Sequence, residues 1–211
     1  MLKEHCPHCE VDGWAFKYLL TQTPLFNVVC DVHPLREGHL LIIPKRHVRC
    51  AAEYTAQEWK DFKRLYEDLC QWLHTHYGFV ATFEHGILGQ TVFHSHIHLL
   101  PFAGAPEEVV VEGMEKCRPL AKLEDLITIF LQEERYLFFS IREKMWVVDP
   151  ALGAPRFFRD RFAAALGCQE RANWKLSAKD PALMAASSAE NRECKRRFDV
   201  AHSTLSHRPI A

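Results

Sequence analysis

The chain has 211 residues, 48% of them hydrophobic, and its 26 basic and 27 acidic side chains leave a formal charge of −1. That length suits one main domain with an extension, and the apolar share can bury a core, which excludes a disordered chain. The balanced charge gives no case for a surface that coats extended nucleic acid, although a small anionic ligand needs only a few local donors.

No apolar run approaches the ~18 residues of a membrane span, and the opening MLKEHCPHCEVDG lacks the apolar stretch of a secretory signal. Of eight cysteines, only Cys6 and Cys9 form a tight pair. The expectation is a cytoplasmic protein with reduced thiols rather than a disulfide framework.

Along the chain, CPHC at 6–9 is a C-x2-C step that lets two thiolates grip one metal, and by itself it is equally compatible with redox use or coincidence. Residues 25–32 and 39–43 are rich in strand formers, and Pro34 and Gly38 between them predict a hairpin. His39 is expected to orient that hairpin by a hydrogen bond. Thr55 and Glu58 form a capping box, followed by Trp59, Phe62, Leu65, Tyr66, Leu69, Trp72 and Leu73 at helical spacing, ending before Gly78. Residues 79–83 predict a strand and EHGILGQ a loop whose Gly86 and Gly89 let backbone approach phosphate oxygens. VFHSHIHLLPF alternates, which predicts a strand with His94, His96 and His98 on one face and Ser95 turned away, stopped by Pro101. The order predicts an α+β domain with an antiparallel sheet and one long helix over residues 1–103.

The rest predicts a mixed or mainly helical extension over 104–176, packed on that domain. Within it a helix is expected over 120–131, strands at YLFFSI and KMWVVD, and a helix at PRFFRDRFAAALG capped by Gly167. Arg156 and Arg159 lie three apart on one helical face, where they either meet distal phosphates of a long substrate or face solvent. Residues 177–211 turn to Ala, Ser and charge, and predict one short helix in a mobile tail.

Three imidazoles in a row are too spread for one tetrahedral zinc, whose bonds are about 2.0 Å, but suit different jobs. A neutral imidazole is a competent nucleophile near neutral pH, able to hold a nucleotidyl group as a phosphoramidate, while a second, protonated one serves the leaving group.

QTVFHSHIHLLPF (90–102), together with DVHPLREGHLLIIPKRHV (31–48), resembles the two signatures of the histidine-triad (HIT) superfamily of nucleotide hydrolases and transferases, here of a bacterial zinc-containing type with a C-terminal extension. The resemblance covers about residues 5–103. It implies a HIT-like fold, His96 as nucleophile and His98 at the α-phosphate and leaving group. It also implies that Asp31 meets the ribose hydroxyls, that Gln90 and Thr91 touch phosphate or leaving group, and that Phe26 with Leu25 lines a base pocket. For the metal, it implies that His47 and His94 join Cys6 and Cys9 around a structural zinc. Homodimers are common in the family, with the helix between the signatures in the interface; the surplus of Trp, Phe and Leu in 55–77 fits that, and the extension covering that face is the alternative. The chain departs from the pattern at Phe83, where many phosphoramidase-type members carry asparagine.

The function implied is hydrolysis at the α-phosphate of a dinucleoside polyphosphate or nucleoside phosphoramidate through a nucleotidyl-His96 intermediate. The alternatives are a transferase that passes the nucleotidyl group to phosphate or a sugar phosphate, and a non-catalytic nucleotide-binding module.

Overall fold

The computed structural model describes residues 5–205. Eight strands form one sheet: β1 (Leu19–Gln22), β2 (Phe26–Cys30), β3 (Leu40–Pro44), β4 (Val80–Gly86), β5 (Ile97–Pro101), β6 (Cys117–Leu120), β7 (Tyr136–Ile141) and β8 (Lys144–Val148), in the spatial order β1-β2-β3-β5-β4-β7-β8-β6. Every strand pairing is antiparallel. The helices are α1 (Ala56–Tyr77), α2 (Pro106–Val109), α3 (Asp125–Glu133), α4 (Phe157–Ala165), α5 (Trp174–Ser177) and α6 (Pro181–Leu205). The fold is α+β, as expected, with an antiparallel sheet and a long helix followed by a mixed extension.

Sheet faces are covered on both sides. On one, Val28, Cys30, Leu40, Ile42, Ile97 and Leu99 pack under Trp59, Phe62, Leu69 and Leu73 of α1. On the other, Ala81, Phe83, Leu100, Leu137 and Phe139 lie under Phe157, Phe158, Phe162 and Ala163 of α4. This double cover fits β2 and β3, which are buried at every position and read as largely apolar runs without clean alternation. The sheet does not break at residue 103: β7 runs along β4, pairing Phe139 with Phe83 and Tyr136 with Gly86. The extension therefore continues the sheet and also caps one face of it.

The capping box forms, with Thr55 Oγ1 accepting from the Glu58 amide at 3.2 Å and Glu58 Oε2 accepting from the Thr55 amide at 2.7 Å. Gly78 ends α1 at φ +88°. The apolar surplus of α1 is absorbed within the chain, since Trp59, Phe62, Leu65, Leu69, Trp72 and Leu73 are all buried. Residues 120–131 divide differently from expectation, into the end of β6 and then α3.

Two elements depart more sharply. Strand β5 begins only at Ile97, so His94, Ser95 and His96 lie on an irregular segment and not in a strand. The expected short helix near the C-terminus is the 25-residue α6; the end of the expected mobile tail, 206–211, lies outside the described residues. Its buried positions are Ser187, Asn191, Cys194 and Phe198, a stripe spaced four, three and four that hydrophobicity underrates because three of its members are small or polar. Asn191 Nδ2 donates to the Asp31 carbonyl at 3.0 Å, Tyr18 and Ser188 hydroxyls pair at 2.8 Å, and Phe198 packs edge-on to Trp72. Among the described residues no helix is long and apolar enough to cross a membrane.

If α6 is docked through this stripe, Phe198→Ala should destabilise the protein by about 3 kcal/mol, while Val200→Ala on the exposed face should stay within about 0.5 kcal/mol. Urea denaturation measures both, and equal small effects would mean an undocked helix.

Candidate active site

His94, His96 and His98 diverge to separate tasks. His94 Nε2 donates to the Pro44 carbonyl at 2.9 Å, so the neutral ring carries its proton there and turns a bare Nδ1 toward Cys6 and Cys9, whose Sγ atoms lie 3.4 and 3.5 Å away. Cys9 Sγ is also 3.3 Å from His47 Nδ1. The four ligand atoms of Cys6, Cys9, His47 and His94 lie within 4.8 Å of one another, a group that can hold a metal ion. Burial lowers His94 to about 4, keeping it in the neutral form a metal needs, and raises the Cys6 thiol. Metal binding there must displace thiol protons.

His96 follows a different logic. Its Nδ1–H donates to the His94 carbonyl at 2.6 Å, leaving an unprotonated Nε2. Burial lowers its pKa, and the hydrogen bond to His94 only partly offsets that, so the ring is neutral at neutral pH. His98, on β5, has its ring centroid 5.0 Å from that of His96. Its protonation is set two residues deep: the Leu35 amide donates to His39 Nδ1 at 3.1 Å, so His39 carries its proton on Nε2 and donates it to His98 Nδ1 at 2.9 Å. His98 is left with its own proton on Nε2. Burial lowers His39 to about 4 and His98 well below the usual imidazole value, so each ring holds one proton. His39 thus orients the hairpin, as expected, and also fixes a triad histidine.

Phe83 stacks on His98 at 4.1 Å and 15°. The departure from asparagine comes with a matching environment, because Phe158 and Phe162 of α4 pack on the same ring. The imidazole sits under an apolar lid, one physical source of its lowered pKa.

A cleft beside these rings is lined by His8, Trp14, Asp31, His33, His85, Gly89, Thr91, His96, His98, Arg156, Arg159 and Trp174, among others. Both arginines are paired, Arg159 with Asp31 at 2.7 Å and Arg156 with Asp160 at 3.1 and 3.2 Å. His8, inside the CPHC loop, meets His96 edge-on at 4.9 Å. Trp14 and Trp174 stack at 5.8 Å and 27°, with the His33 ring about equally near both. His8 Nδ1 and His33 Nδ1 are buried and have no hydrogen-bond partner among the described residues.

The sequence-expected binding residues fare unequally. Thr91 lines the cleft and accepts from Trp174 Nε1 at 3.2 Å. Asp31 also lines it, but its carboxylate is engaged: Arg159 Nη1 donates to Oδ2 at 2.7 Å and the His33 amide to Oδ1 at 2.9 Å. Gln90 is buried beside the cleft rather than in it, with Nε2 donating to the Arg49 carbonyl at 2.7 Å. Phe26 does not line the cleft; it is fully buried on the α1 face against Tyr54 and Phe62. Gly86 also serves another purpose, since a Cβ there would lie 2.4 Å from the Tyr136 ring. Gly89, at φ +83°, does border the cleft.

Trp14 and Trp174 carry no sequence signal as site residues, and Arg159, expected either at distal phosphates or in solvent, is instead buried against Asp31 at the cleft. Arg159 is buried and donates to Asp31, to the His33 carbonyl at 2.7 Å and to the Ala172 carbonyl at 3.2 Å. Its side chain leaves a helix 128 residues downstream of Asp31, beyond the reach of any local pattern.

Comparison with known proteins agrees with this geometry: residues 16–104 match the HIT domain family model. Those residues are similar to HIT domains, and the match spans less than half of the chain. The chain is 28% identical over 104 residues to an uncharacterised HIT-like protein of Mycoplasma genitalium, covering 46% of this chain and 72% of that one. It is also similar to a HIT family member from Bacillus subtilis (TM-score 0.44, 21% identity, 61% of this chain and 94% of the other). A hypothetical protein from Leishmania major resembles it with a TM-score of 0.42 at 23% identity, over 48% of this chain and 76% of that one. The extension, with Arg156, Arg159 and Trp174, lies outside the residues matched to the HIT domain.

Removing Arg159 leaves the buried Asp31 unpaired, so Arg159→Leu should cost about 3 kcal/mol at neutral pH. Burial alone would raise Asp31, but Arg159, His39 and the His33 amide hold it below the ordinary carboxylate value of 3.8. The stability it contributes is therefore complete above that value and lost as pH falls through the lower, folded value. In Arg159→Leu burial is left to raise Asp31, so the deficit should be largest where that carboxyl is still ionised and shrink on acidification, beginning above 3.8 and continuing below it, which paired denaturation curves across pH measure.

Proposed function

We propose that the HIT-like domain of this chain is a nucleotide hydrolase acting at an α-phosphate, with His96 as nucleophile and His98 as the group serving the departing side. The observation that carries this reading is the unprotonated Nε2 of His96, fixed by the Nδ1–H bond to the His94 carbonyl, at the edge of a cleft bordered by Arg156 and Arg159. Attack forms a bond from Nε2 to the α-phosphorus and breaks the bond to the leaving oxygen or nitrogen, which departs while accepting a hydrogen bond from His98 Nε2–H and takes its proton from solvent. Water then attacks the phosphorus as the bond to His96 breaks, releasing its proton to solvent. The product is a nucleoside monophosphate.

The substrate class is a dinucleoside polyphosphate or nucleoside phosphoramidate, held by Thr91 and the arginines at its anionic part and by the Trp14–Trp174 wall at an aromatic part. Because Asp31 is engaged by Arg159, its role in this reading is to hold that arginine and flank the His39–His98 pair, rather than to take a ribose by itself. Gln90 acts from behind, by holding the Arg49 carbonyl.

Cys6, Cys9, His47 and His94 fit a structural Zn2+. Four protein ligands leave no open position, so the metal would supply cross-linking of the N-terminal loop to the segment carrying His96 and no Lewis acidity.

A fluorogenic adenosine phosphoramidate tests the catalytic reading. His96→Ala should lose at least ~10³-fold in turnover while keeping its fold, and a labelled nucleotidyl group should be trapped on the wild type alone. Retention of more than a few per cent of activity would refute His96. His98→Ala should lose less with good leaving groups than with poor ones, and an equal loss would refute its assignment. Product analysis with inorganic phosphate present separates hydrolysis from transfer.

For the metal, elemental analysis should give close to one zinc per chain, and Cys6→Ser or Cys9→Ser should lower stoichiometry and Tm together. Turnover that collapses before Tm changes would point to a catalytic metal instead.

A further inference from the structure

Strand β4 carries a carboxylate that the proposed chemistry does not use. Glu84 is fully buried, yet it gathers three separate parts of the chain. Its Oε1 accepts from Ser95 Oγ at 2.7 Å and from the Ala51 amide at 3.0 Å, and its Oε2 accepts a short hydrogen bond from the Tyr136 hydroxyl. Tyr136 belongs to the extension and reaches Glu84 by crossing β4 at Gly86, where only a glycine leaves room for its ring.

Ser95 stands between His94 and His96 on the segment that precedes β5, where no strand pairing holds the backbone. What holds it is local: the Ser95 amide donates to the Val48 carbonyl at 2.7 Å, the Tyr54 hydroxyl pairs with Ser95 Oγ at 2.9 Å, and Ser95 Oγ donates to Glu84. Val48 follows His47 directly and Ala51 lies four positions after it, so one carboxylate joins the segment after His47 to the one that carries His94 and His96.

We propose that Glu84 is a positioning residue for His96, clamping Ser95, and with it the turn that aims His96 Nε2, against the 48–51 segment and Tyr136 of the extension. This rests on the reading of His96 as the nucleophile. A carboxylate in this place can accept from all three donors at once, whereas a protonated acid must turn one oxygen into a donor and so loses one of them. The groups facing it are Tyr136 from β7, Cys50, Glu53 and Tyr54 from the segment before α1, and Ser95. Burial pushes Glu84 up to about 7, against the opposing hydrogen bonds of Tyr136, Ser95 and the Ala51 amide. The clamp is therefore whole above neutral pH and loosens as pH falls through about 7.

Three proteins test it: wild type, Glu84→Gln and Tyr136→Phe. On adenosine phosphoramidate, wild-type kcat should fall as pH drops through about 7 while KM changes little. Glu84→Gln should lower kcat by about tenfold to a hundredfold, the scale of a small misplacement of a reacting atom, with KM within about twofold and without that limb of the profile. Tyr136→Phe removes a donor that favours the ionised form, so the same limb should move to higher pH. The ring nitrogen resonances of His96, followed by NMR without substrate, should show an inflection near pH 7 in the wild type that moves up in Tyr136→Phe and vanishes in Glu84→Gln. Wild-type kcat and an unchanged profile in Glu84→Gln, or an inflection that survives there, overturns the proposal. If Glu84→Gln does not fold, an unmoved limb and inflection in Tyr136→Phe overturn it equally. A wild type with no turnover on phosphoramidates defeats the hydrolase reading, while the NMR arm still decides the place of Glu84.

Discussion

The ion pair between Arg159 and Asp31 is the constraint on which the site depends. Burying a guanidinium and a carboxylate costs several kcal/mol per ion unless nearly every proton and lone pair finds a partner. Here Arg159 also meets the His33 and Ala172 carbonyls, and Asp31 also takes the His33 amide. To satisfy that set, α4 must lie against the sheet, the segment after β2 must turn at His33, and residue 172 must fold back over both. The cleft walls follow: once α4 is seated, Phe158 and Phe162 cover Phe83, and the turn before α5 brings Trp174 to Trp14.

Desolvation then shapes the electrostatics. His39, His85, His94, His96 and His98 are all held in neutral form by burial. Neutral rings are useful only if their single proton sits on the right nitrogen. The carbonyls of His94 and Pro44 and the amide of Leu35 make those choices, so backbone groups decide which imidazole presents a lone pair and which presents a proton. His85 shows the same economy, accepting the Phe158 amide on Nε2 and so satisfying one of the first free amides of α4.

Much of the chemistry was legible because it is local. Histidine at alternate positions and Cys6 with Cys9 mark candidate groups by spacing, the resemblance through Pro-Lys-x-His adds His47 and His94 to the cysteines, and the structure brings those four side chains within one small sphere. Alternation misled over residues 92–96, where a period of two was read as a strand. The segment is bent, and tethered through Ser95, so that His94 and His96 reach different partners. Phe26 failed for another reason: β2 is buried on both faces, so its sequence carries no mark of which side faces the cleft.

The sequence by itself determined the residue types that do the work, the order of the main elements and the start of α1, since capping, turns and motif spacing act over a few residues. Only the tertiary structure decided that the extension shares the site. Arg159 reaches Asp31, Tyr136 reaches Glu84 and Trp174 reaches Thr91, each across more than fifty positions of chain. It likewise decided that α6 docks, through a stripe of Ser187, Asn191, Cys194 and Phe198 whose fit lies in shape and hydrogen bonds rather than hydrophobicity. Contacts of that kind depend on which surfaces meet once the sheet is closed on both faces, and a linear pattern does not carry that information.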